Sequence, residues 1–142
     1  MIIISLVIGL FLLIQVFSWV SILTYFPKEI GRRSEYPKVS VLLAARNEEE
    51  LILRCLESMA QFNYPNDKLE ILIGDDASTD DTLKLVEAFI KDKPNFSVFS
   101  ISEIRGKGRG KANVLGQLAH KAAGSFYFIT DVDVKLPKDC IL

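Results

Sequence analysis

The chain has 142 residues, a formal net charge of −1 and 49% hydrophobic residues. The balanced charge excludes the strong basic excess of a nucleic-acid binder. Two cysteines, Cys55 and Cys140, lie too far apart for a disulfide framework or a metal knuckle, and point to a reducing compartment.

Residues Ile2 to Phe26 are apolar apart from Ser5, Gln15, Ser18, Ser21 and Thr24, and no side chain before Lys28 is charged. As a helix this run would reach roughly 37 Å, enough to cross a hydrocarbon core with some tilt. Trp19, Tyr25 and Phe26 fall toward its end, where an aromatic belt is expected. Lys28, Arg32, Arg33 and Lys38 follow, which by the positive-inside rule puts the C-terminal side in the cytoplasm. A cleaved signal peptide would need a basic stretch first, a shorter core and a small-residue cleavage site, and none is present. The expectation is therefore a single transmembrane helix over 1–26, a juxtamembrane linker over 27–37 carrying Pro27, Gly31 and Pro37, and a cytoplasmic domain over 38–142.

That domain opens with a predicted strand, Val39 to Ala45. Asn47 with Glu50 three positions on reads as a capping box. Leu51, Ile52, Cys55, Leu56 and Met59 then recur at helical spacing, which makes Cys55 a core residue and not a nucleophile. Asn63 to Asp67 is a turn, and Leu69 to Gly74 a second strand that runs into Asp75-Asp76-Ala77-Ser78-Thr79-Asp80-Asp81-Thr82. Asp80 and Asp81 read as cap and dipole partners of the next helix, whose apolar face is Leu83, Val86, Phe89 and Ile90. Asp75 and Asp76 precede that turn and are not explained by capping.

A short strand, Phe96 to Ile101, leads into Arg105-Gly106-Lys107-Gly108-Arg109-Gly110-Lys111. The spacing fails a Walker phosphate loop: the position five before Gly110 is Arg105, and Ala112 stands where Ser or Thr is needed. No G-x-G-x-x-G follows the first strand, which weakens a nicotinamide or flavin reading. Two readings stay open, a basic loop that closes over a diphosphate and a solvated surface loop. Val114, Leu115, Leu118, Ala119 and Ala122 form a third amphipathic face, with His120 off it.

Phe126-Tyr127-Phe128-Ile129-Thr130-Asp131-Val132-Asp133-Val134 closes the pattern. It reads as a buried strand of a parallel sheet that ends in two carboxylates. In extended geometry Asp131 and Asp133 share a face, where they suit a divalent cation that also grips phosphate oxygens; the plain alternative is an acidic turn. Strand–helix alternation predicts an α/β fold with a parallel sheet.

Four segments, in this order, give the chain a resemblance to glycosyltransferase family 2. They are Val39 to Glu48, Asp75 to Asp80, Gly110-Lys111-Ala112-Asn113 and Asp131-Val132-Asp133. The resemblance implies a GT-A, Rossmann-like, mostly parallel sheet with flanking helices, here the donor-binding half only. It implies a nucleotide-sugar donor, a UDP-sugar, and Mg²⁺ or Mn²⁺. By position, Asp76 matches the aspartate on the uracil ring, with Asp75 shaping that pocket. Ala44 and Arg46 line the first loop against the base. Lys111 approaches the nucleotide, assisted by Arg109. Asp131 matches the first aspartate of the D-x-D motif, near ribose and metal, and Asp133 the last, a direct metal ligand. Gly116 departs from the family, which often has a second asparagine there. The family's general base lies in a later acidic motif, expected beyond Leu142, so neither base nor acceptor can be named. Against an inverting, membrane-anchored transferase stand two alternatives: a nucleotide-binding module without turnover, and a nucleotidyltransferase. The last would want a glycine-rich basic signature where this chain has Ala44-Ala45-Arg46-Asn47.

Overall fold

The computed structural model describes residues 2–24 and 35–142, with side chains of 2–8 and 22–24 left aside. The chain divides into two units, Met1–Glu35 and Tyr36–Leu142.

The first unit holds helix α1, Ile2–Thr24. Leu10 to Ile14, Val16, Phe17, Trp19 and Val20 are all exposed, so apolar side chains surround the helix on every side. Among the described residues, however, no helix is long and apolar enough to cross a membrane. The expected span over 1–26 is thus not found among the described residues. The expected linker lies largely outside them, including Lys28, Arg32 and Arg33.

The second unit runs β1 (Val39–Ala45), α2 (Ile52–Met59), β2 (Leu69–Asp75), α3 (Thr82–Ile90), β3 (Phe96–Ser100), α4 (Lys111–Lys121) and β4 (Phe126–Thr130). All pairings are parallel and the strand order is β3-β2-β1-β4, in agreement with the expected α/β class. Alternation along β1 and β2 sorts their side chains onto two faces. Val41, Leu43, Ile71 and Ile73 pack with Ile52, Cys55, Leu56, Met59 and Val86 of α2 and α3. Leu42 and Leu72 pack on the opposite face against Val114 and Leu118 of α4. Two-sided burial is why β1 and β2 read as continuous apolar runs.

The structure departs from two expectations. The last strand ends at Thr130, not Val134, and is not buried: Phe126, Tyr127 and Ile129 are each more than half exposed. The reason is that β4 pairs only with β1 and forms the sheet edge. Nor does Asn47 cap a helix. Helix α2 begins five residues later, after Leu51, without a side-chain cap, and Asn47 sits at a φ of 53° in the left-handed region.

The opposite end of the sheet from the acidic tips is fastened by one carboxylate. Glu70 accepts hydrogen bonds from the Ser40 hydroxyl, from the Ala123 amide (2.6 Å) and from the Gly124 amide (3.1 Å). The Gly124 amide also donates to Ser40 Oγ at 2.8 Å. This ties the turn between α4 and β4 to β1 and β2. Partial burial pushes the Glu70 pKa up, but the Ser40 and Ala123 donors, the charge of Lys38 and the Gly124 amide outweigh it, and the net shift is downward from 4.5. A depressed folded pKa contributes stability above the unfolded value and loses it as pH falls through the folded value. Glu70→Gln is therefore expected to make the stability curve flatter below about pH 4.5. Denaturant midpoints measured from pH 7 to pH 3 check this, and an acid limb as steep as that of the wild type would contradict it.

Candidate active site

Strands β2 and β3 continue from β1 in one direction, while β4 lies on the other side of β1. The order therefore reverses between β1 and β4, and open α/β sheets bind ligands outside the carboxyl ends of their strands at such a switch point. A cleft of about 420 Å³ lies there. Ala44, Ala45 and Arg46 at the end of β1, with Glu48 and Leu51 after it, form one wall. Asp76 comes from the end of β2, Lys111 from the first turn of α4, and Asp131, Val132 and Asp133 from the turn after β4.

Six of the eight residues singled out from the sequence are thus brought together: Ala44, Arg46, Asp76, Lys111, Asp131 and Asp133. The other two do not line the cleft. Asp75 is buried, 3% exposed, at the end of β2. Its Oδ2 accepts the Ser78 amide at 3.2 Å, while Oδ1 is buried with no hydrogen-bond partner. Arg109 is exposed in the basic loop.

Two ion pairs lie in the cleft. Arg46 Nη1 lies 3.5 Å from Asp76 Oδ2, and Lys111 Nζ contacts Asp131 Oδ1. Because both aspartates of the D-x-D stretch lie past the strand end, their common orientation comes from the turn and not from strand alternation. Helix α2 holds that turn. Arg54 Nη2 donates to the Asp133 carbonyl (3.0 Å), the Cys55 thiol faces the Asp131 carbonyl (3.6 Å), and the Leu136 amide donates to Ser58 Oγ (3.2 Å). Burial pushes the Cys55 thiol up to about 11, against the opposing charge of Arg54 and with some help from Asp133. Cys55 is therefore a neutral core thiol at physiological pH, as its helical position suggested.

The loops after β1 and β2 are stitched to each other. The Asn47 amide donates to Ser78 Oγ (3.0 Å), the Glu48 amide to Thr82 Oγ1 (2.7 Å) and the Glu49 amide to Asp80 Oδ2 (3.2 Å). In return Asn47 Oδ1 accepts the Thr79 amide (2.8 Å), and Glu49 Oε2 accepts the Asp81 amide (3.0 Å). Asp80 also accepts the Thr82 amide (3.0 Å) and hydroxyl (2.6 Å) at the start of α3. Sequence reasoning saw Asp80 as a cap and missed the bridge. The available signal was two polar runs, 46–50 and 75–82, each at the tip of a strand; only the pairing of β1 with β2 makes them neighbours.

The basic loop is anchored at its base. The Arg105 amide donates to Asn113 Oδ1 (2.8 Å), and Asn113 Nδ2 and Gln117 Nε2 both donate to the Glu103 carbonyl (2.9 and 2.8 Å). Gly110, at φ 53° and ψ −135°, ends the loop in a conformation that a β-carbon disfavours, and so places Lys111 at the first turn of α4.

Two carboxylates on one cleft suit a hard divalent cation. Among the described residues there is no group of three or more His, Cys, Asp or Glu that could hold a metal alone. The residues therefore fit a cation that completes its shell with ligand phosphates and water, the usual habit of Mg²⁺.

Known proteins share this fold. Residues 40–142 match the family described as "Glycosyl transferase family 2". The probable glycosyltransferase YdaM of Bacillus subtilis is 36% identical over 107 residues, 75% of this chain and 25% of that protein. The mannosyltransferase PcManGT from Pyrobaculum calidifontis, solved in complex with GDP-Man and Mn²⁺, superposes with a TM-score of 0.64 at 33% identity, over 73% of this chain and 30% of that one. Staphylococcus aureus TarS in complex with UDP-GlcNAc gives 0.61 at 32% identity, over 71% and 28%. The chain spans about a quarter of the length of the curated relatives it matches.

Proposed function

We propose that this chain, which belongs to glycosyl transferase family 2, is the donor-binding half of an enzyme that transfers a sugar from a UDP-sugar to an acceptor. The observation that carries the reading is the cleft at the switch point, where Asp76, Lys111, Asp131 and Asp133 converge from two strand tips and one helix start. The neighbours solved with GDP-Man and Mn²⁺ and with UDP-GlcNAc support a nucleotide-sugar and a divalent cation as the ligand classes.

The division of labour follows from chemistry. Asp76, oriented by Arg46, accepts an N–H from the base, while Ala44 lets the ring approach the wall of β1. Asp75 braces the turn after β2 through Ser78. Asp133 and Asp131 hold Mg²⁺ or Mn²⁺, which when bound neutralises charge on the diphosphate as the sugar–oxygen bond breaks. Lys111 adds a second positive charge beside the same oxygens, with Arg109 available from the loop. The acceptor and the general base are not assigned. Calorimetry of the full chain in mild detergent tests the reading: UDP should bind more tightly with Mn²⁺ than without, and equal binding in both would refute it.

A second reading is a nucleotide-binding module without turnover. Retained UDP binding with no sugar transfer to any acceptor membrane would select it.

Residues 1–26 are further proposed to anchor the chain in a membrane with the domain on the cytoplasmic side. The support is the uncharged first 27 residues and the exposed apolar side chains around α1, which an aqueous surface disfavours. After alkaline carbonate extraction the chain should remain in the membrane pellet; release into the supernatant would rule the anchor out.

A further inference from the structure

We propose that Lys111 is a built-in counter-cation for Asp131, which it releases to the diphosphate when the donor enters, so that metal and nucleotide each promote binding of the other. The inference rests on the reading of the cleft as a donor site.

Three observations carry it. The Lys111 ammonium is ion-paired to Asp131, one of the two carboxylates available to a cation. Both side chains are about half exposed (47% and 56%), so the pair is weak and can exchange partners at little cost. Asp133, in contrast, has no ion-pair partner among the described residues and engages α2 through its carbonyl, not its carboxylate. A cation arriving alone meets one free carboxylate and one already neutralised by a lysine, and among the described residues no group of three acidic ligands gathers to hold it. A diphosphate arriving alone meets a lysine already committed to Asp131. When both arrive, Asp131 is free to face the cation and Lys111 the phosphate oxygens, so each charge exchanges one partner for another of opposite sign. Such an exchange is a coupling free energy between two ligands, and it is reciprocal.

The sign of the effect distinguishes this from a simple phosphate-binding lysine. Lys111→Met frees Asp131, so it should tighten Mn²⁺ binding in the absence of nucleotide by about fivefold, the worth of one exposed ion pair. The same change should weaken UDP and remove most of the gain in Mn²⁺ affinity that UDP brings. Lys111→Arg keeps the charge and should behave as wild type. Electron paramagnetic resonance titration of Mn²⁺ into the full chain in mild detergent, with and without saturating UDP, reads these quantities without any turnover. If Lys111→Met binds Mn²⁺ alone no more tightly than wild type, while UDP still tightens Mn²⁺ in the wild type, the exchange is wrong and the donor site stands. If wild type and variant both fail to bind Mn²⁺ even with UDP, the donor-site reading fails and takes the exchange with it.

Discussion

Asp133→Ala is expected to weaken Mn²⁺ binding in the presence of UDP by about a hundredfold, the order of magnitude of losing one charged ligand worth several kcal/mol. Asp133 is the carboxylate left without an ion-pair partner among the described residues, on the wall of the cleft that also holds Asp131. Its backbone is fixed by Arg54 through the carbonyl, which alanine retains, so the turn should keep its shape. Asp76→Ala provides the contrast. It removes a hydrogen-bond acceptor at the far side of the cleft, so it should weaken UDP by about tenfold or more while UDP still tightens Mn²⁺. Calorimetric titrations of both variants with UDP and Mn²⁺ separate the two. Unchanged metal dependence in Asp133→Ala would remove that residue from the metal site, whatever the fate of the nucleotide.

The parts of this fold legible in the sequence are those whose environment is symmetric or local. Val39–Ala45 and Leu69–Asp75 are buried on both faces, and a continuous apolar run is what two-sided burial requires. The buried faces of α2, α3 and α4 announce themselves by spacing, because only one stripe of each helix meets the sheet. What failed depended on neighbours in space. Phe126, Tyr127 and Ile129 look like core residues one by one, and only the strand order shows that nothing in the described structure covers them. Asn47 has the chemistry of a helix cap, and it does accept a backbone amide, but that amide belongs to Thr79, thirty-two positions away.

The site divides along the same line. The acids at strand tips were visible as polar residues that end apolar runs, where burial would be costly. Their convergence follows from the position of β1 between β2 and β4, which no local pattern encodes. Glu48 and Leu51 line the cleft without having been singled out, since a glutamate and a leucine after a strand carry no chemical signature by themselves. Arg109 had the signature of a phosphate ligand and lies outside the lining, because charge and glycine content say nothing about where a loop points.

Gly124→Ala should lower the thermal midpoint by about 12–20 °C, corresponding to about 3 kcal/mol in a domain of this size. A β-carbon at Gly124 would come within 2.6 Å of the Ser40 amide nitrogen and 2.9 Å of the Val39 carbonyl carbon. Those atoms belong to the backbone of β1, in the middle of the sheet, and cannot swing aside as a side chain would. Relief would require β4 to move away from β1, which breaks the Gly124 donor bonds to Ser40 and Glu70 together. Gly116→Ala is the matched control. Gly116 lies inside α4 with nothing within 4 Å of its added carbon, so the same substitution should raise stability by about 0.5–1 kcal/mol through helix propensity. Melting curves of the two variants should therefore move in opposite directions. The displacement of β4 would also reach Asp131 and Asp133 at its other end, so Gly124→Ala is expected to weaken Mn²⁺ binding well below its melting temperature. A Gly124→Ala protein that melts with the wild type would mean that β4 does not sit against β1 as described, and the cleft built on that pairing would lose one of its walls.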